Sequence, residues 1–493
     1  MIDIATENNT ERLRWVAQLL EKENNHLHRR VKDLFAEIGE LKGVGNQEQL
    51  ELELCRLQEM VARQQDALFG KSSERRGSLE TSKEPEEKEV RKTGHGRTEQ
   101  KQLQLVEVVH LLDDADKACP KCGLGIEEWL GQFEASEEID VIERQFIVKK
   151  HLRQKYKCEC GECIETALGP EKLIPGGRYS IDFAIDVAVS KYLDHLPLER
   201  QRRIMLREDL KVSAQTLWDQ IEALARLLES LPKRIQEYIL SHDFIGADET
   251  RWRLLNNRSN KSWYVWGISA DDSVYYSFAN TRGADAAKVL LADYDGVVMS
   301  DGYAVYQSLQ KSGADFELAH CWAHVRRKFV EAEKAYPLKA GAVLGLIGEL
   351  FRVEKEYCTG PPEETLEARK KYSEPIIEAL KVWTMDCSEL PRSSFGSALT
   401  YMRNLFDGLT LFLENPVIGL DNNACERAMR GIVLGRKNHL GSKSKRGTEV
   451  AALFYSLVES AKLCDIEPRK YLRAAVSAAL GGREIPLPHE FRN

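Results

Sequence analysis

At 493 residues the chain is too long for one hydrophobic core, and 43% hydrophobic with 30% charged residues describes a folded, multidomain protein rather than a disordered or fibrous one. A formal net charge of −8 excludes nucleic-acid binding over the whole surface, so any such contact must come from local basic patches. No run approaches the roughly 18 apolar residues of a membrane helix, MIDIATENNTERLRW has no signal-peptide core, and an odd count of 11 cysteines suits a reducing compartment, so a cytoplasmic protein without a membrane partner is expected.

Residues 8–70 read as a coiled coil. Leu13, Leu20, Leu27, Leu34 and Leu41 are spaced seven apart, and Ala17, Asn24, Val31 and Ile38 occupy the alternate seam positions. A polar Asn24 in that seam selects register and strand number, which favours self-association into a defined oligomer. Gly43 and Gly45 interrupt the pattern before Leu50, Leu54, Leu57, Val61 and Leu68 resume it, so a helical hairpin within one chain is the competing reading. Residues 71–104 carry almost nothing apolar and form a disordered charged linker.

Residues 105–170 hold Cys119, Cys122, Cys158, Cys160 and Cys163 around a stretch of alternating apolar residues. Two cysteine clusters joined by strands suit a structural Zn2+ held by four of these five thiols in a zinc-binding β module. The region 171–240 follows with two helical patterns and Ser213 as the N-cap of the second, a helix-turn-helix-like arrangement. In a DNA-binding reading Gln215, Thr216 and Trp218 start the second helix, and Arg200, Arg202, Arg203 and Arg207 touch phosphates. Plain helical packing is the alternative.

From about residue 242 the periodicity changes. HDFIGADET, SWYVWGISA, SVYYSFA and GVVMSDGY are short apolar runs that predict strands of one sheet, with a hairpin at Asp271-Asp272 and a helix over GADAAKVLLADY. Asp248 and Asp301 each end a strand, where two carboxylates can share a divalent ion. FELAH is a further run, and His320 and His324 after it suit packing or DNA contact better than metal ligation. Residues of about 325–415 read as helical. The segment 421–447 then places Glu426 among Arg427, Arg430, Arg436, Lys437, Lys443, Lys445 and Arg446. Asp421 is the expected helix cap, Gly435, Gly441 and Gly447 make the basic run a flexible cationic loop suited to a phosphate backbone, and Glu426 in such company calls for a metal ion.

ADET (247–250), SDGY (300–303), CWAHVRRKF (321–329) and DNNACERAMR (421–430), with LFGKSSE upstream and the cysteine clusters, resemble the DDE transposases of the insertion-sequence sixty-six family. The resemblance spans nearly the whole chain. It implies a multidomain α+β protein with an N-terminal leucine zipper, a zinc-binding module and a ribonuclease H-like catalytic core at 241–465 carrying an all-helical insertion. A C-terminal tail helix would occupy 466–493. It also implies a catalytic triad of Asp248, Asp301 and Glu426 holding two Mg2+ ions, for which Mn2+ can substitute, on a bacterial, nucleoid-associated enzyme. Such a site cleaves DNA at the ends of an insertion sequence and transfers the strand into target DNA. Expected partners are double-stranded DNA, a second copy through the zipper, and small accessory proteins of the same element. The rival readings are a two-metal nuclease or resolvase without strand transfer, and a non-catalytic DNA-binding protein.

Overall fold

The computed structural model describes residues 144–157, 164–256, 262–387 and 393–491, with isolated positions between 107 and 139. The predicted zipper, the charged linker and the cysteines Cys119, Cys122, Cys158, Cys160 and Cys163 lie outside the described residues. From Phe146 onward the chain belongs to one compact unit. No helix of the described residues is long and apolar enough to cross a membrane.

A short antiparallel hairpin, β1 (Lys155–Lys157) with β2 (Ile164–Thr166), precedes four helices. These are α1 (Ile181–Tyr192), α2 (Leu198–Arg207), α3 (Ala214–Leu227) and α4 (Leu231–Ile239). Ser180 and Ser213 cap α1 and α3, each side chain accepting a backbone N–H three residues on, which satisfies a donor the helix leaves free. Leu217, Ile221 and Leu224 repeat at helical spacing on the buried face of α3.

The predicted strands form one five-stranded sheet. Its members are β3 (Phe244–Trp252), β4 (Trp263–Ser269), β5 (Val274–Ala279), β6 (Val297–Ser300) and β7 (Glu317–His320), in spatial order β5-β4-β3-β6-β7. β3, β4 and β5 make an antiparallel meander; β6 runs parallel to β3 and β7 parallel to β6. The parallel connections are helical, through α5 (Ala284–Leu291) and α6 (Ala304–Lys311).

Both faces of the parallel half are covered, so its residues alternate between two cores. Val298 and Leu318 join the core made with α1, α3 and α4, whereas Val297, Met299 and Ala319 join a second core. That second core is built by α7 (Trp322–Glu333), α8 (Pro337–Tyr357), α10 (Glu374–Asp386) and α11 (Ser394–Thr410), with the short α9 (Pro362–Ala368) between α8 and α10. Buried Arg369 ties this helical region together, donating to both Glu354 oxygens at 2.8 and 2.9 Å and to the Phe412 carbonyl at 2.7 Å.

The chain returns to the first core through α12 (Asn423–His439), α13 (Lys445–Leu463) and α14 (Pro468–Leu480). α13 lies along the edge strand β5 and satisfies its outward backbone: Val274 N–H donates to Ser460 Oγ at 2.9 Å and Tyr276 N–H to Ser456 Oγ at 3.0 Å. Two differences from the sequence expectation are clear. The helices of 171–240 share one core with the sheet, and α14, expected as a tail, buries Tyr471, Leu472 and Ala475 in that core because its apolar face covers α1.

Candidate active site

Asp248, Asp301 and Glu426 come from three separate parts of the chain, and the charges of Asp301 and Glu426 both bear on Asp248. Asp248 lies mid-strand, not at a strand end as expected. β3 leaves its parallel partner after the Gly246–Met299 pair but keeps its antiparallel pairing with β4 as far as Trp252, so the strand continues past the point where the sheet splits. Continuing the β3–β6 register sets Asp248 level with Asp301, which follows the last residue of β6. Asp301 Oδ1 accepts the Tyr303 N–H at 2.9 Å, and the Tyr401 hydroxyl of α11 donates to its carbonyl. Gly302 makes the turn between them at φ +87°, a conformation glycine adopts without strain.

Glu426 arrives on the first turn of α12. Helix and sheet approach closely there: a Cβ on Gly246 would stand 2.4 Å from Asn422 Oδ1 and 2.9 Å from Cys425 Cβ, and one on Gly267 would stand 2.8 Å from Met429 Sδ. Asn422 is the N-cap and is buried, its amide donating to the Ala247 carbonyl at 3.0 Å. Asp421, the expected cap, instead accepts from the Asn423 N–H at 3.0 Å and the Asn423 side chain at 2.6 Å, one position earlier.

The electrostatics follow from this convergence. Burial, the adjacent Glu249 and the charges of Asp301 and Glu426 push the Asp248 carboxyl up to about 7, against the Glu249 N–H, which donates to Asp248 Oδ1 at 2.8 Å. Glu249 is itself raised by burial and by Asp301, with Arg282 opposing at 3.0 Å. The Arg282 guanidinium in turn stands 4.0 Å over the Tyr303 ring. A cluster of carboxylates in which burial and neighbouring negative charge raise the pKa of one member is a site that a cation would relieve. Glu426 Oε1 is buried and makes no hydrogen bond, with His324 Nδ1 3.5 Å away.

Glu426 also has companions the sequence did not reveal. His324 Nδ1 and an Arg327 nitrogen, both on α7, each stand 3.5 Å from a Glu426 oxygen. Ligand atoms of Cys321, His324 and Glu426 all lie within 4.8 Å of one another. Burial pushes the Cys321 thiol up to about 11 although the backbone N–H of Asn422, donating to its sulfur at 3.3 Å, opposes the shift, so the thiol stays neutral and His324 with Glu426 is the stronger donor pair. His320 and His324, expected to behave alike, differ: His320 is buried against α11 beside Gly408, and only His324 meets a carboxylate. The CWAH spacing held the signal, since a residue two positions into α7 faces back toward the strand ends.

The basic run is a helix, a short turn and a second helix rather than one flexible loop. Arg427, Arg430, Lys437, Lys443 and Lys445 are exposed. Arg436 and Arg446 are not free: Arg436 donates to Thr250 Oγ1 at 3.0 Å and to the Arg251 carbonyl, and Arg446 bonds Glu222 of α3 at 3.1 Å and Glu449 at 3.1 Å. Gly435 sits inside α12 because the Tyr455 hydroxyl lies where its side chain would be. In the helix-turn-helix-like pair Arg202 is held by Glu199 at 2.6 Å, while Gln215 and Trp218 at the start of α3 face a cavity shared with the 441–444 turn.

Comparisons with known proteins agree with this picture. A family model described as "Transposase IS66 family" matches residues 176–450, and one described as "zinc-finger binding domain of transposase IS66" matches residues 116–161, a span containing Cys119, Cys122, Cys158 and Cys160. Uncharacterized protein y4jD of Sinorhizobium fredii (strain NBRC 101917 / NGR234) is 29% identical over 392 residues, 76% of each chain. Uncharacterized protein y4qI of the same organism is 30% identical over 380 residues, covering 73% of this chain and 70% of that protein.

Proposed function

Because the chain belongs to the IS66 family of transposases, we propose that it cleaves DNA at the ends of an insertion sequence and transfers the freed strand, with Asp248, Asp301 and Glu426 as the catalytic carboxylates. The observation that carries this reading is geometric: the β3–β6 register sets Asp248 level with Asp301, and the first turn of α12, which carries Glu426, packs on β3 at Gly246. The sheet order, an antiparallel meander followed by two parallel strands, supports the ribonuclease H-like assignment of the core. The family and its zinc-finger domain imply a protein that acts on DNA and holds a structural Zn2+.

Hard carboxylate oxygens, one of them without a hydrogen-bond partner, fit Mg2+, with Mn2+ as a substitute. When bound, two such ions lower the cost of forming an oxygen nucleophile and stabilise the leaving oxygen of an in-line phosphoryl displacement. The chain's own part is to fix the donors. β3 and β6 hold Asp248 and Asp301 level, and the Asn422–Ala247 bond seats on β3 the first turn of α12, which carries Glu426. His324 and Arg327 orient Glu426, and the Arg327 guanidinium adds positive charge beside the reacting phosphate, whereas burial favours the neutral form of His324. The exposed Arg427, Arg430, Lys437, Lys443 and Lys445 would bind the phosphate backbone.

The test is nicking of a duplex taken from the DNA that brackets the gene. Asp301→Ala and Glu426→Gln should each lower magnesium-dependent nicking at least about 100-fold while retaining duplex binding, and near wild-type rates would remove these residues from the site. Joined products with a second duplex distinguish a transposase from a nuclease that stops at cleavage.

A further inference from the structure

A cavity of about 420 Å³ lies away from the carboxylates, between the ends of α1 and α12, the start of α3, the end of β3 and the 441–444 turn. That volume is in the range of small-molecule sites. Its walls combine two kinds of chemistry. Trp218 and Trp252 supply aromatic surface; Lys191 and Lys443 supply donors, and no acidic side chain is among the described lining residues. Lys191 makes no ion pair among the described residues, and burial lowers its ammonium to about 8. Tyr455 is fully buried and its hydroxyl has no hydrogen-bond partner, nor has His439 Nε2. Unpartnered buried polar groups are costly, and a cationic wall without a carboxylate calls for an anion. A simple anion would leave the tryptophans unused, and an apolar ligand would leave the lysines unpaired.

We propose that this cavity takes a single unpaired nucleotide of the DNA strand, the base against Trp218 and the phosphate at Lys191 and Lys443. The inference rests on the transposase reading for the source of the nucleotide. Trp252 stands four residues beyond Asp248 on the same strand, roughly 13 Å at the usual strand rise, about four base steps of duplex at 3.4 Å each. A strand cleaved at the carboxylates therefore passes the cavity mouth within a few nucleotides. A paired base cannot enter an inward-facing cavity, so the occupant has left the stack. The site is held in shape by its surroundings: Trp252 Nε1 donates to Ser442 Oγ at 3.2 Å, and Leu255 N–H donates to the Ser442 carbonyl at 2.8 Å, pinning the turn to the end of β3.

The experiment uses full-length protein without added magnesium and two probes, oligothymidine and an oligomer of abasic sites of equal length. Backbone contacts anywhere on the protein serve both equally, so the ratio of the two affinities reads base recognition alone. Wild type should prefer oligothymidine by roughly 5- to 150-fold, the range for loss of one stacked base. Trp218→Ala should bring the ratio to within about twofold, and Trp218→Phe should restore it. Should the alanine variant not fold, Trp218→Leu keeps apolar bulk without a ring and should lose the same preference. Equal affinity in wild type, or a preference that survives loss of the ring, overturns the proposal. Displacement of oligothymidine by thymidine monophosphate at equal concentration would also overturn it, in favour of a free-nucleotide site. Nicking is not read here, so failure of the carboxylate assignment would leave this ratio intact, and the reverse.

Discussion

Gly246 shows how much of the candidate site hangs on one absent side chain. The α12 N-terminus rests directly on β3 there, with Asn422 and Cys425 closer than any Cβ would tolerate, and Glu426 projects from that same turn. Gly246→Ala should therefore push α12 off the sheet, costing roughly 1–3 kcal/mol of stability and displacing Glu426 from Asp248. A lowered Tm together with a loss of nicking larger than the Tm change explains is the expected result. An unchanged Tm would mean that the helix has slack and that its seat does not set the Glu426 position. The fates of the basic residues make the complementary point: Arg436 and Arg446 carry the charges a DNA site needs, yet both are already engaged by this chain's own oxygens.

At the scale of elements, the sheet edge is the feature most open to failure. β5 would offer free N–H groups to any passing strand, and α13 closes it with two serine hydroxyls one helical turn apart. Replacing Ser456 and Ser460 together with Ala leaves two buried N–H groups without acceptors, at about 1–3 kcal/mol each. The expected signs are a lower Tm and faster hydrogen exchange confined to the amides of Val274 and Tyr276. Exchange unchanged at these amides would show that other acceptors replace the serines. The same helix carries Tyr455 to the nucleotide cavity and begins beside Lys443, so α13 links edge protection to the proposed nucleotide site.

At the scale of the whole molecule, two expectations concern segments outside the described residues. The purified chain should carry one Zn2+, since the zinc-finger domain spans Cys119 to Cys160, and chelation should release it with local unfolding of residues 105–170. Elemental analysis of freshly purified protein without zinc would refute this. For the heptad segment, replacing Leu20 and Leu27 together with Lys removes two seam leucines, each worth roughly 1.5 to 3 kcal/mol when buried. The isolated segment 8–43 should then sediment as a monomer where the unaltered segment associates, and full-length protein should bind one DNA end without joining two. A monomeric unaltered segment would favour the hairpin within one chain.

Local signals wrote much of this protein into its sequence. The strands of 244–320 and the helix capped by Ser213 were legible because alternation, helical spacing and caps act over a few residues. Asp248, Asp301 and Glu426 stood out as candidates for the same reason: each sits in a short polar motif beside an apolar run. What the tertiary structure alone decided involves partners far apart along the chain. Asp248 proved to lie mid-strand because the length of β3 is set by β4, not by its own residues. Arg436 reaches Thr250 across 186 positions, and Arg446 reaches Glu222 across 224, so no window of sequence could show them occupied. His324 and Arg327 meet Glu426 only because the helical region folds back and returns α12 to the sheet. The cavity between α3, β3 and the 441–444 turn likewise exists only where three distant segments meet and leave space that none of their side chains fills.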